Sequence, residues 1–199
     1  MAPRGHLSPI AVAVLALLAE EPMHAYRMQQ LVKERGVDMV VNVRNRSGLH
    51  AALDRLVRDE LVGVHAVERD TRHPERTVYA LTASGRETLL AGLRETVATP
   101  AAEFPLFPAV VSFLHLLDSG DVRAQLDLRA AELERRLTAT RAVLTASTEH
   151  HVPRVHLLEH EYTHAVTTAE LEWVRAVSAD LAAGTLAWDA YFAPRKDRS

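Results

Sequence analysis

The chain contains no cysteine among its 199 residues, and lysine is almost as scarce. Without cysteine the protein can form no disulfide framework, no thiolate zinc site and no thiol redox switch, which is typical of a cytoplasmic protein. Because only Lys33 and Lys196 are lysines, arginine carries nearly all of the positive charge. Arginine suits bidentate contacts with phosphate or guanine. The composition thus excludes thiol chemistry and leaves anion recognition by arginine open.

Long hydrophobic runs are also rare, and the only one covers residues 10–19. This run is too short to span a bilayer, and Glu20, Glu21 and Pro22 follow it in place of a small-residue cleavage site. We therefore interpret it as a buried helix and not as a signal sequence or a membrane anchor. The sequence predicts a cytoplasmic protein with no membrane partner.

The strong excess of basic residues that is usual on a nucleic-acid-binding surface is missing as well. The formal net charge is −3, but the charge is unevenly distributed. Residues 1–95 contain 13 basic and 12 acidic residues, whereas residues 96–199 contain 10 and 14. The total charge argues mildly against a nucleic-acid partner, while its distribution favours the first half of the chain as the place where one would bind.

The first 60 residues have the pattern of three short helices. Apolar residues recur at helical spacing over residues 9–20 and again over residues 24–35. Ser47 can cap a third helix. Three leucines then share one face of that helix, namely Leu49, Leu53 and Leu56. Three helices in so short a segment indicate a helix-turn-helix.

Alternating apolar and polar residues replace the helical spacing after the third helix and predict a β-hairpin. The two strands cover residues 62–67 and 77–81. The segment between them, residues 69–76, is polar and contains a proline, so we expect it to be an exposed loop. A helix-turn-helix followed by such a hairpin is a winged helix, with the hairpin as its wing.

Three prolines between residues 100 and 108 mark the boundary between two units. We predict a winged helix-turn-helix DNA-binding domain over residues 1–99, an α-helical dimerisation and effector-binding region over residues 100–193, and a short tail over residues 194–199. The predicted fold class is mainly α, with an N-terminal winged helix-turn-helix that includes a β-hairpin wing and a C-terminal α-helical dimerisation region.

The second unit is predicted to hold two long helices, over residues 121–147 and 154–183. On the first, leucines recur with the alternating three- and four-residue steps of a coiled-coil seam, which needs a partner helix. On the second, aromatic residues lie on the side that we expect to be packed. We therefore predict that dimerisation uses both helices, through Leu126, Leu133, Leu137, Leu144, Tyr162 and Trp173.

One face of the third helix carries residues that we expect to contact DNA. Opposite its leucines the helix presents small, polar and basic side chains, and an arginine-rich segment precedes it. This pattern suits the major groove, while the hairpin loop can reach the flanking phosphates or the minor groove. The alternative for both segments is an ordinary solvated surface. The predicted DNA-binding residues here are Arg44, Asn45, Arg46, Ser47, His50, Arg55, Arg58, Arg69, Arg72, His73 and Arg76.

Several short motifs resemble, in order and spacing, the DNA-binding domain of PadR-type transcriptional regulators. They are Pro22-Met23-His24-Ala25-Tyr26, Leu53-Asp54-Arg55-Leu56, Leu61-Val62 and Arg76-Thr77-Val78-Tyr79-Ala80-Leu81-Thr82-Ala83-Ser84-Gly85. The resemblance covers residues 10–95, and the second half is more loosely similar to the helical C-terminal region of the longer PadR proteins. It implies a homodimeric winged-helix repressor that binds a palindromic operator and is released by a small aromatic or drug-like effector. It also adds Tyr26 to the expected DNA contacts.

Three positions depart from the family's pattern. His50 stands where the family usually has tyrosine, and Glu60 and Ala25 stand where it usually has glycine. The change at His50 affects a contact that family members make to the DNA backbone, although imidazole can also donate to a phosphate oxygen. The change at Glu60 is expected to alter only a turn.

A second motif competes with this interpretation. Residues 160–164 read His-Glu-Tyr-Thr-His, the H-E-x-x-H pattern in which zinc peptidases hold the metal, here with His160 and His164 as ligands and Glu161 as general base. No histidine follows His164, and the downstream acids lie too close along the same helix to supply a third ligand. We therefore predict no enzyme activity, no catalytic residue and no cofactor, and keep a zinc metallopeptidase as an alternative.

Five histidines lie between residues 150 and 164, and pairs four residues apart can hold a transition metal. His156, His160 and His164 are expected to face solvent, opposite the packed side of the last helix, so the simplest interpretation is a polar surface. Metal or pH sensing stays a minor alternative. A helical ligand-binding or protein-interaction module, whose winged helix contacts protein, is another.

Overall fold

The computed structural model describes residues 7–37, 41, 46–70, 73–100 and 102–188, and the chain divides into two compact units, Met1–Ala102 and Glu103–Ser199. The first unit contains α1 (Pro9–Glu20), β1 (Met23–His24), α2 (Ala25–Glu34), α3 (Arg46–Arg58), β2 (Val62–Asp70), β3 (His73–Leu81) and α4 (Ala83–Ala98). The second contains α5 (Leu106–Val111), α6 (Ser119–Glu149) and α7 (Leu158–Ala183), with short 3-10 turns at Leu114–Leu116 and Arg154–His156. None of the described helices is long and apolar enough to cross a membrane.

Helix α1 lies at the centre of the core of the first unit, as its apolar sequence predicts. The Ser8 hydroxyl oxygen accepts a hydrogen bond from the backbone N–H of Ala11 (3.3 Å), and Pro9 occupies the first turn. Val14 and Leu15 are fully buried and belong to one cluster with the leucines of α3. The predicted helix over residues 9–20 is confirmed.

An ion pair joins the ends of α1 and α2. The Arg35 guanidinium donates two hydrogen bonds to the Glu20 carboxylate, at 2.5 and 2.8 Å, and these bonds hold the pKa of Glu20 below its usual value. Both side chains are nearly half exposed, so the pair contributes less than about 1 kcal/mol to stability. The pair connects the two helices across the short segment that contains β1.

Helix α3 begins two residues earlier than the sequence suggests. The prediction places Ser47 at the cap, whereas the helix already includes Arg46, so that Ser47 lies in the first turn. Helix ends are the least sharply defined part of a helix, because the first backbone N–H groups have no partner within it. The shift does not change the face that the three leucines share.

A three-stranded antiparallel sheet forms the wing, with strand order β1-β3-β2. The central strand β3 pairs with both neighbours, so that Tyr79 lies opposite Met23 on one side and Val64 on the other. Together with the three helices before it, this sheet completes the predicted winged helix-turn-helix. The predicted fold class is confirmed.

The hairpin loop is shorter than predicted. The strands continue to Asp70 and resume at His73, so most of the segment assigned to a loop, residues 69–76, lies in paired strands. Pro74 falls beside an irregular step in the pairing between Glu68 and Asp70, where a missing backbone N–H costs no ladder hydrogen bond. The polar composition that suggested a loop belongs largely to the two paired strands.

The turn between α3 and β2 is fixed by the start of α4. Thr82 donates its hydroxyl hydrogen towards the carbonyl oxygens of Glu60 (2.8 Å) and Leu61 (3.0 Å), and its oxygen accepts a hydrogen bond from the N–H of Gly85 (2.9 Å). Glu60 has φ of 58°, a left-handed conformation that costs a residue with a side chain about 1 to 2 kcal/mol. The departure from glycine at this position therefore leaves strain in the turn.

Replacing Glu60 with glycine is expected to stabilise the first unit by up to about 1 kcal/mol, because glycine adopts a positive φ without a steric penalty but loses more chain entropy on folding. Urea unfolding of the full chain, followed by far-UV circular dichroism, measures this change. The matched control is Asp59→Gly at the neighbouring exposed position, where φ is not positive. That variant should be destabilised, and a Glu60→Gly protein that is equally destabilised would contradict the prediction.

The second unit is built on the pairing of α6 and α7. Its core contains Val122, Leu126, Leu133 and Leu137 of α6 with Leu171 and Val174 of α7. The leucine seam of α6 thus already has a partner helix in the same chain. This corrects the prediction that Leu126, Leu133 and Leu137 pack across a dimer axis, because they are buried within one chain. The fourth predicted residue, Leu144, is half-buried near the end of α6.

The packed side of α7 also differs from the prediction. Tyr162 is 72% exposed and Trp173 is 41% exposed, whereas Leu171 and Val174 are buried against α6. The prediction that the histidines face solvent holds for His156, which is exposed, whereas His164 is half-buried and the side chain of His160 is only 17% exposed. Helix α7 carries apolar residues in two stripes, and the helical period alone does not reveal which stripe faces α6.

Two further contacts hold the start and the end of the second unit. The Arg129 guanidinium lies 3.4 Å from the ring centroid of Phe107 and also bonds the Glu170 carboxylate, while Phe107 meets Trp173 edge to face. The indole N–H of Trp188 donates to the carbonyl oxygen of Leu117 at 2.8 Å. These contacts hold α5 against the helix pair and the segment after α7 against the residues that precede α6.

Candidate DNA-binding surface

Helix α3 is anchored by its leucines and exposes the opposite face. Leu49, Leu53 and Leu56 are almost completely buried, between α1 and the start of the sheet. A helix held on three successive turns has a fixed orientation, so the side chains on its outer face point in defined directions. The described residues on that face are exposed, and they are His50, Ala51, Asp54, Arg55 and Arg58.

This face carries charges of both signs, and its two arginines can attract an anion. Arg55 and Arg58 are exposed, and neither forms an ion pair with another residue in the described part of the chain. Asp54 precedes both arginines on the same exposed face and lowers the local positive potential. The arrangement is typical of a surface that contacts phosphates through a few arginines, not through a broad basic patch.

The N-terminal part of α3 is lined by small residues. Gly48, Ala51 and Ala52 border a cleft whose other wall is the start of α1, with Ser8 and Ile10. A Cβ at Gly48 would meet only the end of the Ile10 side chain, at 3.9 Å. Small side chains at this end allow another molecule to approach the helix backbone closely.

The structure places only some of the predicted DNA-binding residues in full. Arg44, Asn45 and Arg72 lie outside the described residues. The backbone of Arg46 and Ser47 belongs to α3, and that of Arg69 and His73 belongs to β2 and β3. On the wing, Arg76 is exposed in β3, opposite Glu68 in the pairing register.

Tyr26 comes from a different element. It lies in the first turn of α2, is 52% exposed, and its ring centroid lies 6.2 Å from that of His24. His24 is a residue whose role the sequence does not reveal. Its Nδ1 atom accepts a hydrogen bond from the backbone N–H of Arg27 (3.0 Å) and caps α2, although histidine is not among the usual capping residues.

The H-E-x-x-H motif does not form a metal centre in the described part of the chain. Arg154 donates to both oxygens of the Glu161 carboxylate and thereby lowers the pKa of Glu161. His160 is mostly buried beside Glu159. No three metal-ligating side chains among the described residues are grouped so that they could hold a metal ion. The geometry does not favour the peptidase alternative.

An N-terminal helix-turn-helix with a three-stranded wing is a winged helix, and here a helical unit follows it in the chain. Residues 14–91 match the family model of the Transcriptional regulator PadR-like family. This match confirms the motif-based resemblance over those residues. A search of the curated proteins finds no match to the chain.

Several solved structures have a fold similar to that of this chain over most of its length. Bacillus subtilis PadR in complex with operator DNA superimposes with a TM-score of 0.68 at 16% identity, covering 86% of this chain and 98% of that one. The same protein in complex with p-coumaric acid gives 0.65 at 16% identity, over 88% and 99%. The Vibrio cholerae virulence activator AphA gives 0.64 at 17% identity, also over 88% and 99%.

Proposed function

We propose that this protein is a sequence-specific DNA-binding transcriptional regulator that acts as a homodimer on an inverted-repeat operator. The observation that carries the proposal is the exposed outer face of α3, with His50, Arg55 and Arg58, on a helix whose inner face is buried over three turns. The solved complex of Bacillus subtilis PadR with operator DNA supports a DNA partner for this fold.

In the proposed complex, α3 enters the major groove with its N-terminal end leading. The small residues Gly48 and Ala51 let the helix backbone approach base edges, and Arg46 reads a base. Arg55 and Arg58 contact phosphates on one side of the groove. The wing brings Arg72 and Arg76 to the adjacent backbone or minor groove.

A mobility shift with DNA from upstream of the protein's own gene, at low salt, is the direct test of the function. Arg46→Ala is expected to cost about 1 to 3 kcal/mol of binding free energy on the specific site. Arg72→Ala should instead weaken binding to all DNA and reduce the slope of log K against log salt by about one. Fluorescence anisotropy at several salt concentrations separates the two effects.

Arg141→Ala is the matched control for these variants, because Arg141 is an exposed arginine on α6 of the second unit. Its affinity for DNA should equal that of the unaltered protein. Unchanged affinity in both Arg46→Ala and Arg72→Ala removes the proposed surface. If the unaltered protein shifts no DNA even at low salt, a module that contacts protein or ligand becomes the better description.

The second unit exposes more large apolar side chains than an isolated surface normally does. One group follows a stripe along α7, with Tyr162 at 72% and Val166 at 48% exposure, and continues to Trp173. The other group belongs to the segment around α5, with Phe104 at 94% and Leu116 at 72% exposure. We propose that a second copy of the chain covers these residues, so that Tyr162 and Trp173 stay in the dimer interface.

Two-fold symmetry explains why such a dimer would select an inverted repeat. A C2 axis presents the same surface twice, and two recognition helices about 34 to 36 Å apart reach successive major grooves on one side of the duplex. Each half-site then contributes its own contacts. Loss of the dimer therefore reduces affinity for the operator far more than affinity for a single half-site.

The double variant Tyr162→Glu with Val166→Glu is expected to be monomeric at micromolar concentration, because two carboxylates would lose their hydration in an apolar interface. Light scattering after size-exclusion chromatography gives the mass directly. Ala179→Glu places one carboxylate at an exposed position on the other side of α7 and should leave the dimer intact. A double variant that still elutes as a dimer would exclude this face.

Repression relieved by a small aromatic or drug-like effector completes the proposal. It is supported by the resemblance to PadR-type regulators and by the solved complex of Bacillus subtilis PadR with p-coumaric acid. Titration of a small panel of aromatic acids and drug-like compounds into the protein–DNA complex tests it. An effector should release the DNA in the anisotropy signal at a concentration that leaves the protein folded.

A further inference from the structure

We propose that the second unit binds a small uncharged molecule, mostly apolar but with one hydroxyl group, in an open cavity between the end of α6 and the start of α7. The cavity has a volume of about 570 Å³, which lies in the range of small-molecule sites in proteins. The inference goes beyond the proposed function, because it concerns the second unit alone and holds whether or not the first unit binds DNA.

The apolar lining of the cavity comes from three residues around the connection between the two helices. They are Leu144 near the end of α6, Val152 after that helix and Leu157 just before α7. Leu157 is buried and Leu144 is half-buried, while Val152 is 37% exposed. An apolar body that displaces water from these residues is favoured by the hydrophobic effect.

The polar lining is built around one ion pair. The Arg154 guanidinium donates to both oxygens of the Glu161 carboxylate, at distances from 2.8 to 3.2 Å, and these bonds hold the pKa of Glu161 below its usual value. Glu161 is therefore ionised near neutral pH and can only accept hydrogen bonds. A carboxylate has about four acceptor positions, so some remain open to a ligand donor after Arg154 has bound.

The charges of the lining favour an uncharged ligand. Among the described residues that line the cavity, Arg154 and Glu161 are the only arginine, lysine or acidic residues, and their charges cancel. A ligand carboxylate would have to displace Glu161 from Arg154, and a ligand ammonium group would have to displace Arg154 from Glu161. A pure hydrocarbon would cover the free acceptor positions of Glu161 without replacing their hydrogen bonds to water. A neutral hydroxyl group that donates to Glu161 avoids all three penalties.

A strained residue also lines this cavity. His151 follows the end of α6 with φ of 56°, the left-handed conformation that glycine usually supplies after a helix. In this turn the N–H of His151 donates to the carbonyl oxygen of Thr148 (3.0 Å), and that of Val152 to the carbonyl oxygen of Ser147 (2.9 Å). Glycine could form the same backbone bonds without the strain. Because backbone strain is concentrated at functional sites, we assign the His151 imidazole to ligand contact.

NMR titration of the isotopically labelled full chain with three molecules of similar size tests the proposal, namely benzyl alcohol, toluene and benzoate. Benzyl alcohol should shift the amide signals of residues 144–161 and saturate with a Kd of about 1 mM, as expected for so small a ligand. Toluene has no donor and benzoate carries a charge, so both should bind about tenfold more weakly. Equal affinity for all three molecules, or shifts by benzyl alcohol that do not saturate, would overturn the proposal.

Two variants place the ligand in the cavity. Thr148→Trp fills the cavity from an exposed position and should abolish saturable binding of benzyl alcohol. The matched control, Ala146→Trp, carries the same side chain on the opposite side of α6 and should bind like the unaltered protein. Equal binding by these two variants contradicts the proposal, once circular dichroism shows that both are folded.

His151→Gly separates a role in ligand contact from a merely structural one. Release of the strained backbone should raise the thermal midpoint, while loss of the imidazole should weaken benzyl alcohol binding about threefold. Unchanged affinity would remove His151 from the site. All of these measurements use the protein without DNA, so a chain that binds benzyl alcohol as expected but binds no DNA would refute the proposed function alone.

Discussion

Gly85→Ala is expected to destabilise the first unit by about 3 kcal/mol or more, because the added Cβ meets closer neighbours here than at any other glycine in the described part of the chain. A Cβ at this position would overlap the backbone carbonyl oxygen of Leu61, and would lie 2.8 Å from Cδ1 of Leu81 and 2.9 Å from the carbonyl carbon of Leu61. Backbone atoms cannot turn aside as the end of a side chain can. The start of α4 would have to separate from the turn that follows α3.

The same separation would break the contacts of Thr82. Its hydroxyl group donates towards the carbonyl oxygens of Glu60 and Leu61 and accepts a hydrogen bond from the N–H of Gly85. These bonds form only while the start of α4 stays close to the turn between α3 and β2. Urea unfolding of the full chain, with circular dichroism as the signal, measures the loss. A lower midpoint with an unchanged slope is the expected result.

Gly92→Ala in the same helix is the matched control. There the added Cβ would meet only the end of the Leu7 side chain, at 3.2 Å, and that side chain can move. Alanine is favoured over glycine within a helix by about 1 kcal/mol, so this variant should be neutral or more stable. If the two alanine variants are equally stable, the short distance between the start of α4 and the Leu61 carbonyl group does not limit the stability of the first unit.

Leu53→Ala is expected to cost about 2 to 5 kcal/mol, the range for a leucine removed from a well-packed core. Leu53 is completely buried and lies on the inner face of α3. A cavity beneath this helix would weaken its hold on the first unit. DNA affinity should therefore fall together with stability, although Leu53 contacts no DNA.

The comparison for Leu53 is Leu90→Ala, at a position of α4 that is 41% exposed and should cost well under 2 kcal/mol. Hydrogen exchange of the α3 amide groups gives a local readout beside the unfolding curve. Faster exchange in α3 is expected for Leu53→Ala and not for Leu90→Ala. Equal losses in both variants would mean that the buried Leu53 side chain contributes no more to stability than the partly exposed side chain of Leu90.

The first unit could be predicted in detail because its local signals agree with its packing. Ser8 and Pro9 start α1 where a proline is tolerated, and the three leucines of α3 have no competing apolar face. When local conformational preferences and core packing favour the same structure, the fold can be predicted from the sequence. The wing was harder, since its outer residues are polar and include Pro74, which favoured a loop over the strand pair that is present.

The second unit shows why the rest could not be predicted. Helix α7 has apolar residues on two sides, and only the contact with α6 selects Leu171 and Val174 over Tyr162 and Trp173. The a/d pattern of α6 correctly indicated that a partner helix exists. A single sequence does not state whether that helix comes from the same chain or from a second copy.

The sequence predicts which face of α3 carries the candidate site, but not which contacts the residues on that face make. The helical period places His50, Arg55 and Arg58 opposite the leucines, and all three are exposed. Position along the chain does not reveal that Arg55 and Arg58 are free of described ion pairs, or that His24 caps α2. These features depend on the distance between side chains that are brought together only by folding.

The placement of Trp173 against Phe107 and of Trp188 on the Leu117 carbonyl has a practical consequence for every experiment above. The chain has two tryptophans, and both lie in the second unit, whereas the described first unit contains only tyrosines as fluorophores. Selectively excited indole emission therefore senses the surroundings of the helical unit alone. Circular dichroism senses both units, so the two optical signals together can assign each melting transition to its own half of the chain without any label.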